Sequence, residues 1–150
     1  MVPPENAFTP GAAAAEAGDA ELSLACAELA RALPNLMLAY VFGSRATGRS
    51  RPDSDLDLAV LCDVVVDPLA LYGIAQTIAG ALRRDVDVVD LSCASTVLQK
   101  EIVAHGQLLH AREPGMRLAF EARVLSDYAR LNEERAPVLE RIAREGRVHG

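Results

Sequence analysis

LMLAYVFGSRATGRSRPDSDLDLAV, residues 36–60, is the stretch on which the reading of this chain turns. An apolar run from Leu36 to Phe42 stops at Gly43-Ser44, and after ten intervening residues come Asp55 and Asp57, inside a second apolar run. Side chains alternate faces along a strand, so Asp55 and Asp57 share one face while Leu56 and Leu58 point into a core. Two carboxylates held side by side repel, and one takes up a proton unless a cation sits between them. A hard divalent ion suits them, and magnesium is commonly held by one or two carboxylates together with substrate phosphates. Gly43 allows close backbone approach to a ligand, and Ser44 adds a hydroxyl and an amide. Together these residues predict a metal–nucleotide site.

Outward from this stretch the chain alternates helix and strand. Asp19 is a plausible N-cap for a helix whose face carries Leu22, Cys26, Leu29 and Leu33, ended by Pro34-Asn35. Residues 1–18, rich in Ala, Pro, Gly and Glu, are expected to form a mobile tail with at most a frayed turn at 12–15. Leu36–Phe42 and Asp55–Leu61 are predicted to be neighbouring strands, joined by a loop over 43–54. Asp67-Pro68 starts a helix with the stripe Leu71, Ala75, Ile78 and Leu82, and Arg83-Arg84 complement its negative end. Residues 85–91 form a short β-rich run, 95–105 a helix stopped by Gly106, and 107–111 an edge strand. Residues 116–135 are again helical, and Pro137 is expected to break or kink them before a shorter helix to Ala143. The order implies an α/β or α+β sandwich. The loop-joined strand pair disfavours a doubly wound Rossmann sheet, and neither of the two commonest glycine-rich nucleotide loops is present.

Composition narrows the function. The 150 residues fit about one domain, and no uninterrupted apolar run reaches the ~20 residues of a membrane helix. The first residues lack a basic stretch followed by an apolar block, so no secretory signal is expected. Cys26, Cys62 and Cys93 are far apart in apolar sequence, which predicts buried free thiols and a cytoplasmic setting. A formal net charge of −6 argues against broad nucleic-acid binding. Locally the balance reverses, because Arg45, Arg49 and Arg51 crowd the loop before Asp55. A small anionic ligand fits that pattern better than a polyanion does.

A third carboxylate, Asp87, lies between valines and faces the same way as Asp55 and Asp57 if its strand is their neighbour. Asp85 replaces it if the register is off by two, and otherwise Asp85 and Asp90 are surface or turn residues. Three converging carboxylates match a two-metal in-line displacement at phosphorus, with the ions ~3.5–4 Å apart. Gly43 and Ser44 would hold a polyphosphate, and Arg45, Arg49 or Arg51 would meet its developing charge. His105 and His110 read as helix-end and edge-strand residues, since neither has ligand spacing to a second histidine or cysteine.

Gly43-Ser44, ten residues, then Asp55-Leu56-Asp57 resembles the signature of the minimal nucleotidyltransferases of the DNA polymerase β-like superfamily. Val86–Leu91 resembles the segment carrying that family's third carboxylate, which falls on Asp87. Leu98–Ile102 with Gly106–His110 resembles the helix-turn-strand that closes the small domain. The likeness spans Leu22 to Arg112. The later helix, with Phe120-Glu121 and Asp127-Tyr128, resembles the extension of the MntA antitoxins, adenylyltransferase partners of HEPN ribonuclease toxins. This resemblance implies a nucleotidyltransferase fold, with a small mixed sheet flanked by helices over 19–112 and a helical extension over 113–150.

The resemblance also implies a chemistry. Asp55 and Asp57 would hold Mg2+, with two ions expected, on the triphosphate of ATP. Asp87 would complete the metal site and help deprotonate an acceptor hydroxyl, which attacks the α-phosphorus and expels pyrophosphate. In the antitoxin subgroup the acceptor is a toxin tyrosine, so the expected partners are a HEPN-type toxin and ATP, without direct nucleic-acid or membrane binding. Two other readings stay open here: transfer to a small hydroxylated molecule, and neutralisation of a partner by binding alone. Arg144 and His149 also satisfy the R-x4-H spacing of HEPN nucleases, but beside Gly146 and Gly150 at a chain end this reads as coincidence.

Overall fold

The apolar run at 36–42 is a strand covered on both faces, as its composition predicts. The computed structural model describes residues 13–46 and 55–149. Their elements run α1 (Ala13–Ala32), β1 (Leu36–Phe42), β2 (Leu56–Cys62), α2 (Pro68–Leu82), β3 (Val86–Asp90), α3 (Thr96–His105), β4 (Gln107–Ala111) and α4 (Pro114–His149). The four strands form one mixed sheet in the order β3-β2-β1-β4. β1 is antiparallel to both β2 and β4, while β2 and β3 are parallel, joined by α2. A parallel pair needs such a crossover, whereas the antiparallel β1–β2 pair needs only a loop.

Each face of the sheet carries its own apolar cluster. On one side Leu22, Ala25, Leu29 and Leu33 of α1 and Leu71, Ala75 and Ile78 of α2 pack on Leu56, Leu58, Val60, Val86 and Val88. On the other, Ile102 of α3 and Phe120 and Val124 of α4 pack on Leu38, Tyr40, Ala59 and Leu108. The β1–β2 register slips between Leu36 and Leu38, so β1 carries one extra residue there. That bulge turns both Met37 and Leu38 towards the second cluster and restores alternation from Ala39 on. The phenol of Tyr40, only 1% exposed, donates to Glu121 Oε1 at 3.0 Å, and Arg117 Nε reaches the same oxygen at 2.7 Å. This network pins α4 to the sheet, and burial beside the Glu121 carboxylate raises the Tyr40 pKa.

Several local expectations hold. Asp67 caps α2, its Oδ1 accepting from Leu69 N at 3.3 Å with Pro68 in the first turn. Ser95 caps α3 through Leu98 N, Gly106 follows its last residue, and 107–111 form an edge strand.

Others are corrected. α1 starts at Ala13, so Asp19 lies inside the helix and not at its cap. The alanine-rich stretch has the highest helix propensity available, and the packed face from Leu22 onward supplies the nucleus that it extends. α4 runs unbroken through Pro137 to His149. Residues 132–146 are exposed, so water can hydrate the carbonyl whose hydrogen bond Pro137 removes. Cys62 is buried, but Cys26 is half-buried and Cys93 exposed.

Asp90, expected at the surface, is 8% exposed and accepts from Val66 N at 3.0 Å, Ser92 N at 2.9 Å and Ser92 Oγ at 2.7 Å. It ties the β2–α2 connection to the end of β3, whereas Asp85 lies exposed before that strand. Asp90→Ala should therefore lower unfolding stability by about 2–4 kcal/mol, because it strands buried amides. Asp85→Ala should leave the urea midpoint unchanged.

Candidate active site

One row of the sheet gathers the candidate residues. Phe42, the last residue of β1, pairs with Asp57, and Asp57 pairs in parallel register with Asp87 of β3. Residues paired in register place their side chains on the same face. Asp57 and Asp87 therefore stand side by side at one end of the sheet. Asp55 precedes β2 by one residue, and Leu56 N donates to Asp85 O at 2.9 Å, which locks the start of β2 to the start of β3. That bond fixes the register that the sequence left open: Asp87, not Asp85, lies across from Asp57.

The electrostatics carry the mark of this crowding. Burial raises the Asp57 pKa above the ordinary carboxylate value, and the charges of Asp87 and then Asp55 push it further the same way. All three carboxylates thus act on one small volume. Without a counter-ion, the folded state holds a proton on Asp57 more readily than the unfolded chain does. Stability therefore falls as pH rises through the raised Asp57 pKa. A cation at this point offsets the repulsion. Among the described residues no group of three or more His, Cys, Asp and Glu side chains is placed to hold a metal ion by itself. Mg2+ does not require one, since it keeps water and takes phosphate oxygens beside one or two carboxylates. The all-oxygen, acidic pair of Asp57 and Asp87 fits that ion by its donor chemistry.

Gly43 closes the site from the β1 side. Its φ of +74° lies in the left-handed region, and a Cβ there would overlap Asp57 Oδ2 and lie 3.4 Å from Asp57 Cγ. The bend thus runs directly against the central carboxylate, and only glycine satisfies both the dihedral and the contact. Ser44 follows in the same turn.

The arginines divide. Arg45 does not point to the carboxylates: its guanidinium lies against α1, with Nη1 3.5 Å from Glu21 Oε2. Arg84 Nη2 reaches the other oxygen of Glu21 at 3.3 Å, a role beyond complementing the end of α2. Arg49 and Arg51 lie outside the described residues. Glu21 and Arg84 carry no motif in the sequence; residues so distant are joined only by folding. His105 ends α3, and His110 lies in β4 across from Ala39. Arg144 is exposed on the last turns of α4, with the side chain of His149 outside the described residues.

The polymerase beta nucleotidyltransferase family matches residues 25–114, a span from α1 to the start of α4. The protein adenylyltransferase MntA of Shewanella oneidensis is 39% identical over 108 residues, covering 72% of this chain and 77% of that protein. A crystal structure of a toxin–antitoxin with AMP-PNP superposes with a TM-score of 0.75 at 34% identity, over 81% of this chain and 98% of that one. A structure of the tri-AMPylated Shewanella oneidensis HEPN toxin in complex with MNT antitoxin gives 0.72 at 32% identity, over 83% and 98%. With the acidic row and the glycine bend both inside the matched span, this chain belongs to the polymerase beta nucleotidyltransferase family, among the MntA protein adenylyltransferases.

Proposed function

We propose that this protein is an antitoxin that uses Mg2+ and ATP to attach AMP to a tyrosine hydroxyl of a partner HEPN ribonuclease toxin, and so silences it. The observation that carries the chemistry is the in-register pairing of Asp57 with Asp87 beside the Gly43 bend. The resemblance to proteins solved with AMP-PNP and with an AMPylated HEPN toxin supports the choice of donor and acceptor.

Asp55 and Asp57 are the residues to hold the ion, with Asp87 completing the set. When bound, the metal neutralises the polyphosphate and the charge that builds on it during displacement. Gly43 and Ser44 place backbone and hydroxyl against the phosphates. Asp87 accepts the proton of the acceptor hydroxyl, whose oxygen forms a bond to the α-phosphorus. The bond from that phosphorus to the bridging oxygen breaks, and pyrophosphate leaves. The side chains mainly position reactants and offset charge, which is where phosphoryl and nucleotidyl transfer draw most of their rate.

The acidic surface supports a protein acceptor over a nucleic acid, with a formal charge of −6. No helix among the described residues is long and apolar enough to cross a membrane. Free Cys26, Cys62 and Cys93 suit the reducing cytoplasm.

Incubating the protein with Mg2+, α-labelled ATP and its HEPN partner should move label to a toxin tyrosine, read by peptide mass spectrometry. Asp57→Ala should cut that transfer by at least about 10²-fold while the complex still forms. A complex without transfer would mean neutralisation by binding, and label on a small molecule would mean a different acceptor.

Asp57→Asn should raise the melting temperature in the absence of divalent ions, because it removes the central charge of the row. Mg2+ should then stabilise the wild type and not the variant. Metal and proton compete for Asp57, so transfer should fall as pH drops through its raised pKa, and more Mg2+ should move that acid limb to lower pH. Gly43→Ala should reduce transfer by roughly 10²-fold, since its methyl displaces the Asp57 carboxylate by about an ångström.

A further inference from the structure

We propose that Glu21 is a positioning residue whose single carboxylate holds the Gly43-Ser44 bend and the start of β3 in a fixed relation. The inference rests on the nucleotidyltransferase reading of the acidic row. It assigns a role to α1, which contributes no residue to that row.

Glu21 sits on α1 and spends its two oxygens on two different segments. Oε2 faces Arg45 Nη1 at 3.5 Å, and Oε1 faces Arg84 Nη2 at 3.3 Å. Arg45 directly follows Ser44, and Arg84 precedes Asp87 by three residues. The side chains of Arg45 and Arg84 are only 15% and 9% exposed, and that of Glu21 is 29% exposed. Two guanidinium groups this withdrawn from water repel each other, and the carboxylate between them offsets that repulsion. Without it, the two cations push each other apart. Arg45 would then carry Ser44 with it, and Arg84 the approach to Asp87.

A second feature of α1 converges on the same arginine. Gly18, three residues before Glu21, is a glycine inside a helix, where alanine is intrinsically better. A Cβ at Gly18 would lie 2.5 Å from Arg45 Nη2 and 3.3 Å from its Cζ. The guanidinium thus rests in a notch that only glycine leaves open, with the Glu21 carboxylate beside it. Notch and carboxylate together make α1 a fixed seat for the residue that follows the bend.

The test compares Glu21→Gln and Gly18→Ala with the wild type by three measurements: Mg2+·AMP-PNP affinity, melting temperature, and amide hydrogen exchange without ligand. Glu21→Gln should weaken nucleotide binding about five- to tenfold. It should also speed exchange at both 43–46 and 85–87 while leaving 98–102 unchanged. Gly18→Ala should weaken binding similarly with a melting temperature equal to or above that of the wild type, because the substitution favours the helix. The double variant of Glu21→Gln with Arg45→Gln should bind no worse than the weaker single variant.

Unchanged affinity in both single variants, or faster exchange at only one of the two segments, would overturn the proposal. Affinity that falls only in step with the melting temperature would reduce Glu21 to a stabilising ion pair, and would overturn it too. A wild type that binds no nucleotide would refute the nucleotidyltransferase reading itself, whereas the exchange measurement tests the Glu21 bridge without any nucleotide.

Discussion

A half-buried carboxylate flanked by two others resists being charged, and one end of this sheet is built around that resistance of Asp57. The parallel pairing of β2 with β3 puts Asp57 directly across from Asp87, and the residue before β2 adds Asp55. The fold carries this as a standing penalty, since burial first, and then the charges of Asp87 and Asp55, raise the Asp57 pKa. In the proposed function a divalent ion with a polyphosphate would relieve it. Local instability and ligand affinity are thus one feature seen in two states, the usual relation between a strained site and its function.

The rest of the fold keeps that row from relaxing. Apolar clusters on both faces hold the sheet between two pairs of helices, so the strands cannot splay to separate their charges. At the opposite end of β3, Asp90 is buried as deeply as a core residue, yet it is satisfied by two backbone amides and a hydroxyl. Two aspartates three residues apart on one strand therefore have opposite tasks. One is paired with donors and anchors the strand, and the other stands beside the like charge of Asp57. Tyr40, through Glu121 and Arg117, locks the first part of α4 across the second cluster. The exposed later turns of that helix, with Val138, Leu139 and Ile142 uncovered, extend from a rigid base.

The bend at Gly43 shows how little tolerance remains. Its left-handed dihedral and its contact with Asp57 leave no room for a side chain, so the end of β1 and the central carboxylate are positioned by each other. Arg45, one residue past Ser44, is turned away from this point and seated on α1. The bend is therefore held at its glycine by the carboxylate row and two residues later by a helix on the far side of the sheet. If the bend binds phosphate as proposed, restraint at two places lowers the entropy it loses on closing around a ligand.

Much of this was written in local pattern. Residues 36–60 by themselves determined two strands, a glycine-serine bend and a carboxylate pair on one face, because strand periodicity and the conformational freedom of glycine act over a few residues. The caps at Asp67 and Ser95 were legible for the same reason. What crosses the chain was not. Whether Asp85 or Asp87 joins the pair depends on the β2–β3 register, which the Leu56–Asp85 backbone bond and the packing of Val86 and Val88 decide. Asp90 reads like its neighbours until the β2–α2 connection folds over it. Arg45 reads as a phosphate ligand until Glu21 and Gly18 receive it, and the helix at Ala13 and the unbroken turn at Pro137 depend on a packed nucleus and on exposure to water. Sequence spacing specifies which side chains share a strand face. Which faces meet, and which charges are then buried together, follows from contacts between residues that the chain brings close only once it has folded.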